Sequence, residues 1–326
     1  MRLPDTAESF VDSVYANSKL LIERAFWEIP MPRIESWFRQ FCGPEERFFA
    51  ACLLDQVIFR TRQQFEAALR SLFRSNLYGN LYPGAQDLQL LEMLKGRTDP
   101  KVRLVPVICE TDAPTKSGPL VLRRLQRILL LNAKWMCWPW QAVKAVEEGS
   151  VETILFVDDF LGSGGQFEGF FRQWHFDKHL DSGVSHFYAP VVAHQKGIDH
   201  LTKELPRVCV VSAETLGPSH DFFSTAVWER IGHNGCVTAD DAKSWYLDFG
   251  KKRRLFMRFG RLKIYVQGGA HSDRILGCYS VRIWPDAPPS ELAGRCQVLR
   301  GSTRTALAGG SALPALCLTR SDPARS

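Results

Sequence analysis

Val151 to Gln166, VETILFVDDFLGSGGQ, is the stretch whose reading decides the fold. Ile154, Leu155, Phe156 and Val157 form a short continuous apolar run, the pattern of a strand buried on both faces of a parallel sheet. The run stops at two carboxylates, Asp158 and Asp159, which places them at the open end of that strand. A glycine-rich turn follows, Gly162-Ser163-Gly164-Gly165, and then Phe167, Phe170, Phe171 and Trp174 recur at helical spacing. The glycine loop therefore joins a strand end to a helix start.

Such a junction suits a phosphorylated ligand. The first amides of a helix have no internal partner and lie at the positive end of its dipole, and glycines let the backbone close around an anion. Two carboxylates just before that cradle repel phosphate at their own position, so they suit sugar hydroxyls or a magnesium-bound ligand better. Phosphate on one side and sugar on the other describe a ribose phosphate. The Walker pattern needs Lys and Ser/Thr where Gln166 and Phe167 stand, and the dinucleotide fingerprint places its acid about twenty residues downstream. The plainer alternative is a glycine loop joining strand to helix beside two solvated acids.

The run from Ile154 to Gln166 resembles the phosphoribosyl diphosphate loop of the phosphoribosyltransferases: four apolar residues, Asp-Asp, three variable positions, then Ser/Thr-Gly-Gly-Thr. The resemblance implies that Asp158 and Asp159 meet the ribose 2′ and 3′ hydroxyls, and that Gly162, Ser163, Gly164, Gly165 and Gln166 hold the 5′-phosphate. Gln166 stands where the family has a threonine whose hydroxyl touches that phosphate. Magnesium is expected on the ligand, with no protein residue binding it directly. An earlier junction fits the same scheme. Val102 to Cys109, VRLVPVIC, reads as a strand, with Pro106 arguing for an edge position or a bulge. The polar loop Glu110 to Gly118 then leads into a helix whose Val121, Leu125, Ile128 and Leu129 share a face. In the family this first junction carries the donor's diphosphate, which implicates Lys116, Ser117 and Gly118; a solvated loop lysine is the ordinary alternative.

Further along, Phe187 to Ala193 and Arg207 to Val211 read as strands, and Ile198, Leu201 and Leu205 mark a helix between them. The alternation from 102 to 212 implies an α/β, Rossmann-like, mainly parallel sheet with right-handed crossovers, covered on both faces. Ligands in such sheets bind outside the carboxyl ends of the strands, where Asp158 and Asp159 fall.

The first 75 or so residues read as helices. Pro32 precedes Ile34, Trp37, Phe38 and Phe41; Phe49, Cys52, Leu53 and Val57 make a second stripe; and Thr61 with Gln64 forms a capping box before Phe65, Leu69, Leu72 and Phe73. Packing is favoured over a helix-turn-helix, because no row of Arg and Lys marks a recognition helix. The aromatic cluster Trp135 to Trp140, WMCWPW, either packs or stacks a base. His175 and His179 lie one helical turn apart without further ligands nearby and read as a solvated helix end.

Composition is that of an ordinary globular chain, 45% apolar and 23% charged over 326 residues. No apolar run is long enough to span a bilayer and the start lacks a secretory pattern, so a cytoplasmic protein is expected. Nine scattered cysteines, none in C-x-x-C spacing, read as reduced thiols. Charge is uneven: from Gly250 onward there are 14 Lys/Arg against 4 Asp/Glu, and before it 27 against 31. Residues 251–265 interleave seven cations with Phe256, Phe259 and Tyr265, a mixture that suits nucleic acid as well as a solvated basic surface. The last 25 or so residues have a disordered composition. The expected division is a helical region 1–95, an α/β domain 96–249 and a basic extension 250–326.

The wider pattern is a Trp37-Phe38-x-x-Phe41 helix, ACLLDQV at 51–57, the Asp-Asp strand, FYAPVVAHQKGIDHL at 187–201 and SAETL at 212–216. Over about residues 25 to 245 this resembles the phosphoribosyltransferase-like family of bacterial conflict systems. The resemblance implies a ligand that is phosphoribosyl diphosphate or a nucleotide. It also implies a role in antiphage defence, such as in a retron beside a winged-helix protein and a reverse transcriptase with its non-coding RNA/DNA. If the chain is an enzyme, it is a phosphoribosyltransferase; the alternatives are a nucleotide-sensing module without turnover or a nucleic-acid-binding protein. Small phosphoribosyltransferases also carry a long loop that closes over the reacting centre. Residues 134–150 are too short and helix-like to supply one, and no residue presents itself as the catalytic acid or base.

Overall fold

The computed structural model describes residues 1–77, 89–112, 116–233 and 235–252. Contacts divide the chain into two compact units: Gln63–Gly217, and Met1–Arg62 together with the described residues from Pro218 onward. This partition differs from the sequence-order division at residues 95 and 249. Of the basic segment 251–265, Lys251 and Lys252 end the Ala239–Lys252 helix, and the rest, like the disorder expected of the terminus, lies outside the described residues.

The unit Gln63–Gly217 is built on five parallel strands, β1 (Val102–Pro106), β2 (Thr153–Leu161), β3 (Ser185–His194), β4 (Val208–Val210) and β5 (Glu214–Leu216). The order is β1-β2-β3-β4, with β5 also paired to β3. β4 lies against His186–Tyr188 and β5 against Val192–His194, so the two follow one another along the same edge of β3. This is the α/β, Rossmann-like parallel sheet that the alternation predicts. Pro106 sits on the edge strand, where a residue without an amide proton is tolerated, and β1's outer side meets Met136 in an isolated bridge.

β2 is buried at all nine positions. Alternate residues point to opposite faces. On one face Phe156 stands edge-on to Phe167, Phe170, Phe171 and Phe176, with ring centroids 4.8 to 5.7 Å apart, in a cluster that also holds Ile154 and Tyr188. Outside that cluster the Ser117–Leu129 helix packs on β1 and β2 with Val121, Leu125 and Leu129 buried. Gly118 permits this contact, since a Cβ there would lie 2.7 Å from the Val107 carbonyl oxygen.

The other unit is helical. Ala7–Glu23, Met31–Phe38 and Pro44–Asp55 come from the start of the chain, Thr225–Ile231 and Ala239–Lys252 from its later part. They share one core, in which Ile34, Trp37, Phe48 and Phe49 lie with Phe222, Trp228 and Ile231. The expected packing role of the early apolar stripes is therefore observed, although the three predicted helices do not stay together: the Arg62–Ser71 helix belongs, from Gln63 on, to the sheet unit. Among the described residues no helix is long and apolar enough to cross a membrane.

One buried titratable group makes the sheet unit sensitive to acid. His186 on β3 is 2% exposed and stacks on Phe156 at 6.2 Å, and burial pushes its pKa down to about 4. The unfolded chain protonates this ring near pH 6.5, so its contribution is fully present above that value and is lost as pH falls toward 4. Stability should drop by roughly 1.4 kcal/mol per pH unit across that window relative to His186→Phe. Parallel urea titrations of both proteins at several pH values test this; parallel pH profiles would refute it.

Candidate functional site

The two acids are not at the end of their strand. β2 continues through them to Leu161, because Phe160 and Leu161 pair with Val192 and Ala193 of β3. Nor are they solvated, as the plainer reading of the sequence supposes: Asp158 is 1% exposed and Asp159 3%. Neighbours on a strand diverge, so each acid is served from a different element. Asp158 accepts from the Asp159 amide at 2.9 Å and from the Tyr188 hydroxyl of β3 at 3.3 Å. Asp159 accepts from the Ser117 hydroxyl at 3.2 Å.

The glycine loop runs as predicted into a helix, Gly165–Gln173, whose N-cap is Gly164. Gly164 has φ +87°, in the region that favours glycine, and no side chain caps the helix, which leaves its first-turn amides facing outward. Gly165 and Gln166 are exposed at this opening. Two residues of the Gln195–Glu204 helix support the loop from below. A Cβ on Gly197 would lie 2.3 Å from the Gly162 carbonyl oxygen, and a Cβ on Gly164 would lie 2.5 Å from His200 Cδ2. His200 Nε2 is in turn 2.7 Å from Glu168 Oε2, and Glu168 also pairs with Arg172 at 2.9 Å.

The first junction ends at the same edge of the sheet. Lys116 is the N-cap of the Ser117–Leu129 helix, and its ammonium is hydrogen-bonded to Asp112. Asp112 also accepts from the Cys109 amide at 2.7 Å. Burial raises the Asp112 pKa, but the bonds from Lys116 and Cys109 outweigh it and hold the carboxyl below the usual range. Lys116 is thus an oriented, largely buried cation, not a solvated loop lysine. Through the Ser117–Asp159 bond the two junctions, with two helix N-termini, form one constellation at the carboxyl ends of β1 and β2.

A family model described as PRTase-CE, the conflict-system-associated phosphoribosyltransferases, matches residues 34–277. The chain belongs to that family. A search of curated proteins found no match. The PRTase-CE match runs past residue 250, so the start of the basic segment falls within the family region, beyond the limit near 245 expected from the sequence.

Within this PRTase-CE chain the structure brings Asp158, Asp159, Ser117 and the 162–166 loop to one edge of the sheet. Gly118 acts in packing, through its approach to Val107. The sequence reading missed Tyr188, Gly197 and His200, which hold the acid and the loop in place. Their signals are non-local: Gly197 and His200 look like ordinary positions on a helix until Gly162 and Gly164 are set against them. Among the described residues no three His, Cys, Asp or Glu gather as a metal-ligand set, and His179 pairs at 3.9 Å with Glu147. The described cysteines carry free thiols. Of the aromatic cluster, Trp135 is buried while Trp138 and Trp140 are 42% and 51% exposed.

Three substitutions test this geometry without a ligand. Asp158→Ala strips the Asp159 amide and Tyr188 hydroxyl of their acceptor and should cost roughly 1–3 kcal/mol in chemical denaturation. Asp158→Asn should cost clearly less, because the Tyr188 hydroxyl can turn to accept from the new amide; equal losses would contradict the assigned bonds. Gly197→Ala should cost about 1–3 kcal/mol by forcing the loop off the helix, and an unshifted melting curve would show that the close approach is not required.

Proposed function

We propose that the chain binds a ribose 5-phosphate ligand, phosphoribosyl diphosphate or a nucleotide, at the carboxyl ends of β1 and β2. The observation that carries this reading is the Ser117–Asp159 hydrogen bond, which unites the two junctions that the family uses for the diphosphate and the ribose phosphate. Asp158 and Asp159 would accept from the ribose hydroxyls. Gly162 to Gln166 would hold the 5′-phosphate on the outward-facing amides, and Lys116, Ser117 and Gly118 would border the diphosphate. Exchange of Asp112 for a phosphate oxygen would free the Lys116 ammonium for the ligand.

Magnesium fits this scheme only as a cation carried in on the ligand's phosphate oxygens, given the donors described. That is its common mode of binding, and it would supply charge neutralisation there. If the chain turns over, the reaction is displacement at the anomeric carbon with diphosphate or base leaving, and these residues contribute by positioning and charge complementarity.

A second reading, a nucleotide sensor without turnover, is favoured by residues 133–147. They form the Ala133–Trp135 turn and the Pro139–Glu147 helix where small phosphoribosyltransferases carry a closing loop. Membership in a conflict-system family supports an antiphage role for either activity, with a retron's winged-helix protein and reverse transcriptase as partners to test.

Calorimetry with phosphoribosyl diphosphate and ribose 5-phosphate, each with magnesium, should show saturable heat. The double change Asp158→Asn with Asp159→Asn should weaken it by roughly 1.5–3 kcal/mol for each bond lost, at unchanged secondary structure. A diphosphate-release assay then separates enzyme from sensor. No heat with any ribose phosphate would sink the assignment.

A further inference from the structure

Trp138, Trp140 and Trp174 are unusual among the large apolar side chains of the sheet unit. Trp138 and Trp140 are 42% and 51% exposed, yet they are ordered against one another, with centroids 5.4 Å apart and planes within 5°. Trp174, partly buried, backs Trp140 at 6.0 Å. Two parallel indoles exposed to water forgo burial, and what such a pair offers is a flat π-face on which another planar ring can continue the stack.

Their position says which ring. The Trp174 indole nitrogen donates to the Ile108 carbonyl at 3.0 Å. The residue before it, Val107, bonds through its amide to the Val157 carbonyl, next to Asp158, and its carbonyl is the atom beneath Gly118. The residue after it, Cys109, gives its amide to Asp112, the partner of Lys116. The chain entering the platform also follows β1: Met136 bridges Leu104 in parallel and the Cys137 amide donates to the Leu104 carbonyl, so Trp138 comes next in the direction of the strand's carboxyl end. Segment 107–112 therefore bonds both to Trp174, which backs Trp140, and to the residues of the first junction.

We infer that Trp138 and Trp140, braced by Trp174, stack the nucleobase of a mononucleotide, or the free base of the exchange, bound at the Asp158–Asp159 site. The inference rests on the proposed ribose-phosphate reading and narrows it to base-bearing ligands. Aromatic stacking tolerates any base, so the platform supplies affinity for the ring more than discrimination among rings.

The test compares AMP, UMP and ribose 5-phosphate by calorimetry and tryptophan fluorescence, in the full chain and in Trp138→Ala with Trp140→Ala, with folding of the variant checked by its melting curve. AMP and UMP should bind at least about fivefold tighter than ribose 5-phosphate and quench fluorescence, as a stacking energy of roughly 1 kcal/mol or more requires. The double variant should bring the nucleotides to the ribose 5-phosphate affinity while that affinity changes less than about twofold, and Trp140→Phe with Trp138→Phe should retain most of the difference. Equal affinity for nucleotide and ribose 5-phosphate in the unaltered chain overturns the inference and leaves the phosphate site standing. Equal loss of all three ligands in the variant also overturns it. Nucleotide quenching that depends on the tryptophans, without any ribose 5-phosphate binding, upholds the platform and removes the phosphate site. Short oligothymidylate that binds tighter than UMP and is indifferent to Asp158→Asn would give the platform to a nucleic-acid strand and overturn the mononucleotide assignment. Absence of all binding ends both readings.

Discussion

Two carboxylates buried side by side on a strand with no exposed position set the terms for the sheet unit. Taking a carboxylate out of water is costly unless donors replace the water. The replacements come from three elements: the backbone of β2, Tyr188 on β3, and Ser117 at the head of the helix that follows β1. Tyr188 is itself fixed by stacking on Phe167, at 3.8 Å and 11°, in the first turn of the helix behind the glycine loop. Satisfying Asp158 and packing the phenylalanine core are therefore coupled. A shift of either flanking helix would cost hydrogen bonds as well as contacts, which keeps the loop and the first junction in register with each other.

The sequence shows clearly whatever depends on neighbours in the chain. The apolar run of β2, the helical spacing of Phe167, Phe170 and Phe171, and the edge position implied by Pro106 all follow from local rules and all match the structure. What it hides depends on partners far away in the chain. Asp158 and Asp159 look like strand-end acids because carboxylates usually end an apolar run; only the pairing of Phe160 and Leu161 with Val192 and Ala193 carries the strand past them. Gly197 carries no local turn signature, since its small size matters only against Gly162. The helical unit is likewise invisible locally: an amphipathic stripe shows that a helix has a buried face, but not that Trp228 and Phe222 cover the face carrying Phe49.

Electrostatics distinguishes the possible seats for a phosphorylated ligand. Two cavities of the helical unit, about 400 and 390 Å³, are lined by carboxylates: Glu45, Glu46, Asp241 and Asp248 in one, Asp5, Glu8 and Asp12 in the other. Each has a single lining basic side chain, Lys252 or Arg47, outnumbered by the carboxylates even with the Met1 ammonium beside the first, and their local sign disfavours phosphate. At the sheet's carboxyl edge two helix N-termini without side-chain caps accompany the acids, and Lys116 is paired with Asp112. The uneven charge of the whole sequence says little about this. On the proposed reading, local geometry and not net charge favours the sheet edge.

On the proposed reading, binding and turnover place different demands on the same residues. Hydrogen bonds to ribose hydroxyls and to a 5′-phosphate are made equally to the bound ligand and to the state in which the anomeric bond breaks, so they give affinity without rate. Rate requires stabilisation of charge that appears only as the bond breaks, together with exclusion of water, and a closing segment commonly supplies both. Residues 133–147 are committed to a turn and a helix held along β1 by the Met136 bridge. An enzyme on this scaffold would therefore need its cover from elsewhere, whereas a sensor would need none. Tight binding alone is compatible with both, and the distinction rests on whether diphosphate leaves.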